Sequence, residues 1–565
     1  MSLTSSLSVA SRSLEVFSAG IQVAGNNISN SSTPGYVREQ LQVSSAFPSK
    51  RGTLIFGNGV VANGIRQQVD KFLEKRLQTS NGELSGAKAR ESVYKELETT
   101  LQTFGDTSLS TQLGDFLNKI QDLVNQPEST ASREIVVRQG QQFAAAVNDL
   151  RKRIDDVRTA TGVKLDNLVS EANKLIDEVA SLNPKITALE SAGLLASDAG
   201  GLRNQRQAAL DRLSQILPIN TVEHSDGQVD VFLNSNEHLV LASSVQHLET
   251  VASTDRGTAI KDVRVAESKT PLTGTGGELN GVIAGRDQVL GGFLDKLDTY
   301  VGNVVFEFNK LHASGQGLVG YDQVTGTYAA SSTTAALNAA GLAFTPGHGS
   351  FEVQLVNKST GIATTTRIDV NLNGTGTQTT LASLQTQLNG VANLSASLTT
   401  DRRLSLTAGS GYEIKFGNDT SGALAALGIN TFFKGTTSRD IAVNDPVAND
   451  SRLFASGQGA GPADGRNAAA MATFLDQPVA ALGDVSVDRY FEAMVSSLAQ
   501  SSSSESAITA GYQSYHDSLN SQRDQFSGVS LDEEVVNVMK YQRAYQISAR
   551  YISTVDSLFT ALLNI

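Results

Sequence analysis

Histidines, acidic pairs and glycine-rich stretches are the residues from which a reaction site would have to be built. The histidines are His224, His238, His247, His312, His348 and His516. They form no HExxH run and no close pair, so their spacing offers no zinc site. Cysteine is absent, which removes disulfides, thiolate metal sites and a thiol nucleophile. Gly315-Gln316-Gly317-Leu318-Val319-Gly320 has the GxGxxG spacing of a dinucleotide loop. It follows a helical pattern rather than a strand, the wrong context for cradling a pyrophosphate, and reads as a loop. Gly57-Asn58-Gly59-Val60-Val61-Ala62 follows a strand-like run, but no helix opens after it, and it reads as a hairpin turn. There is no Walker A run and no GxSxG elbow. The acidic pairs Asp155-Asp156 and Glu533-Glu534 sit at solvated or capping positions. The expectation is a protein that is not an enzyme, with no catalytic residue, no cofactor and no metal ligand. Two facing carboxylates within 317–440 are the one catalytic arrangement the residues leave open.

Bulk properties narrow the class further. The chain has 565 residues, with Lys+Arg 45 against Asp+Glu 57 and a net charge of −12. That balance argues against a general nucleic-acid binder, which needs a basic face. The one basic knot, Arg151-Lys152-Arg153, precedes Asp155 and Asp156 and reads as a solvated helix face. The N-terminus lacks the basic start, apolar core and cleavage pattern of a signal peptide. No stretch approaches 18 consecutive apolar residues, so no membrane span is expected.

The elements can then be laid out. Leu3, Leu7, Ala10, Leu14, Phe17, Ile21, Ala24 and Ile28 alternate gaps of four and three, the spacing of a coiled-coil helix. Arg12 and Glu15 are the only ionisable side chains before Arg38, whereas a solvated helix normally carries a charged back. The stripe stops at "GNNISNSSTPGY". Asn26, Asn27 and Asn30 are cap candidates through the left-handed conformation that asparagine tolerates. Pro34 and Gly35 suit the two central positions of a type II turn before Tyr36. Residues 37–69 read as extended and hairpin-rich. Asp70 opens a helix with Phe72, Leu73, Leu77 and Leu84, and residues 83–217 read as long helices, with Pro184 starting a new helix or kinking one. Segment 84–104 places Leu84, Val93, Leu97, Leu101 and Phe104 at helical spacing. Residues 219–268 switch to strands, including "VDVFLNSNEHLVLAS" around a polar turn, and 278–311 return to helix. Residues 317–440 are rich in Thr, Gly, Ser and Asn. They hold strand-like "FEVQLV", "TRIDVNL", "RLSLTA" and "YEIKF", with short helices near 381–393 and 421–427. Residues 466–480 and 484–565 are helical again. The last helix begins at Ser530 with Glu533 three residues on, a capping box. Leu531, Val535, Val538, Tyr545, Ala549, Ile552, Val555, Phe559 and Leu562 then run at near-heptad spacing.

The expected fold is mainly α with a β-rich insertion: long terminal coiled-coil helices, a helical-bundle rod domain and an inserted α+β outer domain. The nesting gives 1–70 plus 505–565 as a terminal helical, inner-tube region. It gives 71–316 plus 441–504 as a helical rod domain, with a β element near 219–268, and 317–440 as the insertion.

"GNNISNSSTPGYVREQ" resembles the N-terminal motif of bacterial flagellar rod, hook and hook-associated proteins. "GNGVVANGIRQQVDKFLEKRL", residues 57–77, and "SGVSLDEEVVNVMKYQRAYQISARYISTVDSLFTALLNI" are similar to the flagellar hook-associated protein 1 family, the hook–filament junction or FlgK family. "INTFFKGTTSRDIAVND", residues 429–445, also resembles it. The resemblance implies a structural, exported component of the flagellum at the junction of hook and filament. It implies type III export without a cleaved signal peptide and an extracellular location. Its implied partners are further copies in a helical ring, the hook protein on one side, the second hook-associated protein or filament on the other, and an export chaperone at the C-terminal region. The implied assembly interface is Leu3, Leu7, Leu14, Phe17, Ile21, Ile28, Val535, Val538, Tyr545, Ile552, Val555, Phe559 and Leu562. Asn26, Asn27, Asn30, Pro34, Gly35 and Tyr36 form the turn motif. Other axial proteins of hook or rod type share the Asn-rich turn, and a secreted enzyme or adhesin on an axial scaffold is the alternative from another class.

Overall fold

The computed structural model describes residues 3–102, 109–191, 197–233, 237–272 and 276–563. Phe104 and the polar turn at 234–236 lie outside the described residues. Helix α1, Leu3–Asn30, leads into strands β1 (Glu39–Ser45), β2 (Ser49–Arg51), β3 (Leu54–Phe56) and β4 (Val60–Gln67). Then come α2 (Lys71–Gln102), α3 (Leu109–Val124), α4 (Thr130–Ser191) and α5 (Gly200–Ile216). Strands β5 (Ile219–Glu223), β6 (Val229–Leu233), β7 (His238–Leu241), β8 (Ser244–Val245), β9 (Leu248–Asp255) and β10 (Thr258–Val265) follow. Helix α6 (Gly277–Ala284) continues through a π-helical turn, Gly285–Leu290, into α7 (Gly291–Ala313). The β-rich stretch holds β11 (Gln323–Thr325), β12 (Gly349–Asn357), β13 (Ala363–Val370), α8 (Leu381–Asn389), β14 (Leu394–Leu398), β15 (Leu404–Ala408), β16 (Tyr412–Gly417) and α9 (Ala423–Leu427). The chain closes with β17 (Phe433–Lys434), β18 (Ala442–Val443), α10 (Asp445–Asn449), α11 (Arg466–Ala472), α12 (Val487–Ser527) and α13 (Leu531–Leu563). This is a mainly helical protein with small β-sheets, as its periodicities lead one to expect.

Several elements depart from the sequence reading for physical reasons. Helix α4 runs for 62 residues with Pro184 inside it, so no new helix starts there. The adjacent Asn183 is buried and holds the helix there, with Nδ2 donating to Val229 O and Ala242 O and Oδ1 accepting from Val229 N. The expected helix at 466–480 is only seven residues long and gives way to single 3-10 turns. Strand β14 has a weak sequence signal and forms because it pairs along β15.

Two compact units emerge: Met1–Val93, Thr159–Arg286 and Ser502–Ile565 form one, Tyr94–Arg158 and Asp287–Ser501 the other. In the first unit Leu165, Ile176, Val179, Leu213, Val231, Val240, Val263 and Val282 bury one another in a core of helices and strands. In the second, Phe116, Phe308, Phe432 and Phe433 stack with ring centroids 4.7 to 5.6 Å apart. The Asn309 amide holds both partners of the Phe432-Phe433 pair. Its oxygen accepts from both backbone N–H groups and its NH2 donates to Phe433 O. In the same unit, β12 lies between β13 and β16, and β15 between β11 and β14. Phe351, Val353, Leu355, Ile368 and Phe416 are buried there.

The first unit also buries a charged cluster. Gln207 Nε2 bridges the carboxylates of Glu74, at 3.2 Å, and Asp211, at 2.8 Å. Burial pushes the Glu74 carboxyl up to about 7; Asp211 adds to the rise, Arg523 opposes it and Asp70 adds a little more. A glutamate in an unfolded chain titrates at about 4.3. Between roughly pH 4.5 and 7 the folded chain therefore keeps a proton that the unfolded chain has lost, and stability falls as pH rises. Glu74→Gln should flatten that dependence and raise stability at pH 8 by on the order of 1–3 kcal/mol. Urea melts at pH 5 and pH 8 check this, and an unchanged slope with pH would refute it.

Candidate assembly interface

Helices α1 and α13 pack along each other within the first unit. The buried positions on α1 are Ser6, Ala10, Val16, Gly20, Val23, Ala24 and Asn27. They line one side of the helix, and Ser6, Ala10, Gly20 and Ala24 among them are small. Small side chains let two helix backbones approach closely. At Gly20 an added Cβ would lie 2.9 Å from the Tyr541 ring, too near for any side chain. On α13, Glu534 and Val555 are buried, and Asn537, Val538, Tyr541, Ala544, Ser548, Ile552 and Phe559 are half-buried.

The covered seam is therefore not centred on the leucine stripe. Of the stripe residues, Ala10 and Ala24 are buried, Leu3, Leu14, Phe17, Ile21 and Ile28 are half-buried, and Leu7 is exposed. On α13, Val535, Tyr545 and Leu562 face outward together with Val536, Met539, Ile547, Tyr551 and Leu558. Ile547 is 68% exposed, a large cost for an apolar side chain left in water.

The Asn-Pro-Gly turn works through side chains rather than through unusual backbone. Asn26, Asn27 and Asn30 all lie inside α1, and none has a positive φ, which corrects the cap assignment made from residue type. Asn27 reads the backbone of Glu39 twice: Nδ2 donates to its carbonyl at 2.9 Å, and Oδ1 accepts from its N–H at 3.0 Å. The Tyr36 hydroxyl donates to the same Oδ1 at 2.9 Å. Asn30 Nδ2 donates back to Asn26 O and Oδ1, both at 3.0 Å. Tyr36 N donates to Thr33 O across Pro34-Gly35, and Gly35 has φ 76°, the type II turn that its residues call for. Burial, then Glu39 and Glu534, push the Tyr36 phenol up.

Just past the turn, Arg38 ties both chain ends together. Its Nε donates to Glu534 Oε1 and its Nη1 to Glu533 Oε2, each at 2.8 Å. Its backbone N–H donates to Ser527 O at 2.9 Å. Burial works against the guanidinium's charge, but Glu534 and then Glu533 outweigh it and hold it above its usual range. The Glu533 carboxylate thus serves Arg38, while Ser530 Oγ keeps only a long 3.5 Å contact with the Glu533 N–H. This partnership spans almost the whole sequence, and the charge-poor opening hides it. Arg38-Glu39, the first ionisable residues after Glu15, are the local hint.

The histidines fill structural roles. His312 is buried between Nδ1, which donates to Asn430 O, and Nε2, which accepts from Ala455 N. Burial lowers its pKa to about 4. His224 pairs with Asp230, His247 with Asp177, and His516 with Asn81. Gly317 lies so close to the Arg452 carbonyl that a Cβ would come within 2.5 Å, which accounts for the glycine-rich loop without a ligand. Among the described residues no three His, Asp or Glu side chains group as a metal site. A hollow of about 460 Å³ in the first unit is lined by Lys71, Arg203 and Glu223, whose charges already pair with one another. No described helix is long and apolar enough to cross a membrane.

These features describe a mainly helical chain with an apolar face of α13 left exposed. Residues 94–327 match the family model "Flagellar hook-associated protein FlgK helical domain", and 521–565 match "Flagellar basal body rod FlgEFG protein C-terminal". Flagellar hook-associated protein 1 of Escherichia coli is 25% identical over the full length of both chains. The protein of that name from Salmonella typhimurium is 24% identical, also over both full lengths. That of Bacillus subtilis is 22% identical, over 99% of this chain and 97% of its own. The flagellar hook junction protein FlgK from Burkholderia pseudomallei shares the fold, with a TM-score of 0.54 at 14% identity, over 81% of this chain and 100% of that one. Over its full length the chain is similar to the flagellar hook-associated protein 1 family.

Gly20→Val should force α1 and α13 apart and cost about 1–3 kcal/mol. Hydrogen exchange would then show residues 3–28 and 531–563 losing protection while the second unit keeps its own; unchanged exchange at the ends would contradict the seam. Arg38→Ala should cost about 3 kcal/mol by stranding buried Glu534, and Glu534→Gln should restore most of it. A double-mutant cycle with no coupling would count against the tie.

Proposed function

We propose that this protein is the structural junction between hook and filament, assembling into a helical ring with further copies of itself through the outward faces of α1 and α13. One observation carries this reading: the apolar row Val535, Val536, Met539, Ile547, Tyr551 and Leu558, left exposed on a helix whose other face is already packed. Subunits joined head to tail with a non-closing rotation build a tube, and a helix inside it meets neighbours on every side. The near absence of charge on α1 fits that setting, because charge there would be buried unpaired. The leucine stripe and the α13 residues Val535, Val538, Tyr545, Ile552, Val555, Phe559 and Leu562 would share the interfaces between copies.

The three-part division belongs to the same reading. Residues 1–70 and 505–565 would supply the inner tube, 71–316 and 441–504 the rod domain, and 317–440 an outward-facing domain. Hook protein would lie on one side and the second hook-associated protein or filament on the other. Export would be of type III, without a cleaved signal peptide, with a chaperone on the C-terminal region. The protein has a structural rather than a catalytic role. A hook or rod protein is the second reading, favoured by the rod-type match over 521–565. The hook-associated helical-domain match over 94–327 weighs against it.

Deleting the gene should leave hooks without filaments in electron micrographs and release flagellin into the medium. Missing hooks would place the protein in the hook or rod instead, and intact filaments would refute the reading. Replacing Pro34-Gly35 by Ala-Ala puts a side chain on a residue at φ 76° and removes the turn's preset angle. The expected result is a folded monomer that fails to restore filaments to the deletion strain. Full restoration would show that the turn is dispensable.

A further inference from the structure

Six asparagines in this chain stand directly before a glycine: Asn58, Asn63, Asn81, Asn280, Asn373 and Asn389. Such an asparagine can lose its side-chain amide, because glycine has no Cβ to keep the next backbone nitrogen away from the asparagine Cγ. The fold restrains five of the six. Asn81 and Asn280 are buried inside α2 and α6, where the helix fixes every backbone dihedral. Asn389 ends α8, and Ala396 engages both ends of its amide: Nδ2 donates to the Ala396 carbonyl and Oδ1 accepts from the Ala396 N–H. Asn58 Nδ2 donates to Phe47 O, and its Oδ1 accepts from Ser49 Oγ. Asn63 lies in β4, where Gly64 is paired with Gln42 of β1.

Asn373 is held differently. Residues 373–377 form an exposed turn after the edge strand β13, outside any helix or ladder. The Asn373 Oδ1 accepts from Thr375 N at 3.0 Å and from Thr375 Oγ1 at 2.7 Å. Its Nδ2 has no hydrogen-bond partner among the described residues. Gly374 has φ 81°, and its N–H makes only a long 3.3 Å bond to Gln378 Oε1. Asn371 braces the turn from behind, with Nδ2 donating to Thr375 O at 2.9 Å and to Thr377 O at 3.1 Å. Two donors therefore converge on the oxygen that becomes negative when the side-chain carbonyl is attacked, the arrangement that stabilises an oxyanion. The nitrogen that must leave faces water.

We propose that Asn373-Gly374 is a site of spontaneous deamidation, the fastest of the six, that converts Asn373 to aspartate and isoaspartate. Hydroxide takes the proton from the Gly374 N–H, and the nitrogen attacks Asn373 Cγ. The tetrahedral intermediate carries its negative charge on Oδ1, where the Thr375 N–H and hydroxyl hold it. The Cγ–Nδ2 bond then breaks, Nδ2 takes a proton from water, and ammonia leaves. Water opens the resulting five-membered imide at either carbonyl. One opening gives aspartate; the other gives isoaspartate, in which the main chain runs through the former side chain. One water is consumed and one ammonia released, with no oxidant or cofactor. The product carries a new carboxylate beside β13 and, in the isoaspartate form, an extra methylene in the backbone.

The test follows the full-length protein in mildly alkaline buffer, once folded and once unfolded in urea. Mass spectrometry of the six Asn–Gly peptides reads the exchange of amide for acid, and labelling by an isoaspartyl methyltransferase reads the isoaspartate. In the folded chain Asn373 should react about tenfold or more faster than each of the other five, and in urea the six rates should converge. Another Asn–Gly pair reacting as fast in the folded chain overturns the proposal. So does an intact Asn373 in the folded chain over a time in which the urea sample reacts. Thr375→Val keeps the side-chain shape and removes the hydroxyl. It should slow Asn373 in the folded chain by about threefold or more, a smaller effect than a buried oxyanion donor gives because water screens this one, and leave the rate in urea unchanged. An equal folded rate overturns the part given to the Thr375 hydroxyl.

Discussion

The close approach of α1 and α13 is the constraint on which the exposed apolar surface depends. It exists because side chains are missing where the helices meet. Gly20 admits the Tyr541 ring, and Ser6, Ala10 and Ala24 keep the rest of the seam thin. A seam of leucines would have used the large side chains to hold the two ends of one chain together. A seam of small residues leaves Leu7 on α1 and Val535, Tyr545 and Leu562 on α13 exposed, and Leu14, Phe17 and Ile21 only half-buried. Dispersion contacts over a long, close interface stabilise the pair.

The turn and its ion pair set where that surface sits. Asn27 replaces a strand partner for Glu39, so the chain leaves the helix and enters β1 without stranded backbone groups. Arg38 then fastens this exit to the start of α13 and, through Ser527, to the end of α12. Gly528 follows, where a Cβ would meet the Asp524 carbonyl at 2.2 Å, so α12 stops there and α13 begins in register with Arg38. One arginine thus aligns the exit from α1, the end of α12 and the first turn of α13. A pair with Glu534 almost fully buried gives orientation more than net stability, as buried ion pairs generally do.

Polar groups inside the two units follow the same logic of position over strength. His312 stays neutral and braces two backbone segments, because each ring nitrogen has one partner and no room for a second proton. Asn183 and Asn309 each satisfy backbone donors and acceptors of a segment packed beside their helix. Glu74 and Asp211 are the exception, two carboxylates held together by a neutral amide.

Local chemistry determined much of this protein from sequence alone. The heptad spacing made α1 and α13 helices, Pro34-Gly35 made a type II turn, and period-two runs made β12, β13, β15 and β16. The nesting of a β-rich stretch inside helices was equally legible, as was the family to which the quoted end motifs belong. Tertiary structure decided which helix face is covered, because α1 carries a large stripe and a small one side by side. Close packing selects the small stripe only once α13 is present to fill it. It also decided that the asparagines act by side-chain hydrogen bonds, that α4 runs through Pro184, and that Arg38 pairs with carboxylates some 495 residues away. Periodicity and turn propensity act over a few residues and can be read along the chain. Complementary shape and charge pairing act through space, and only the folded chain brings those partners together.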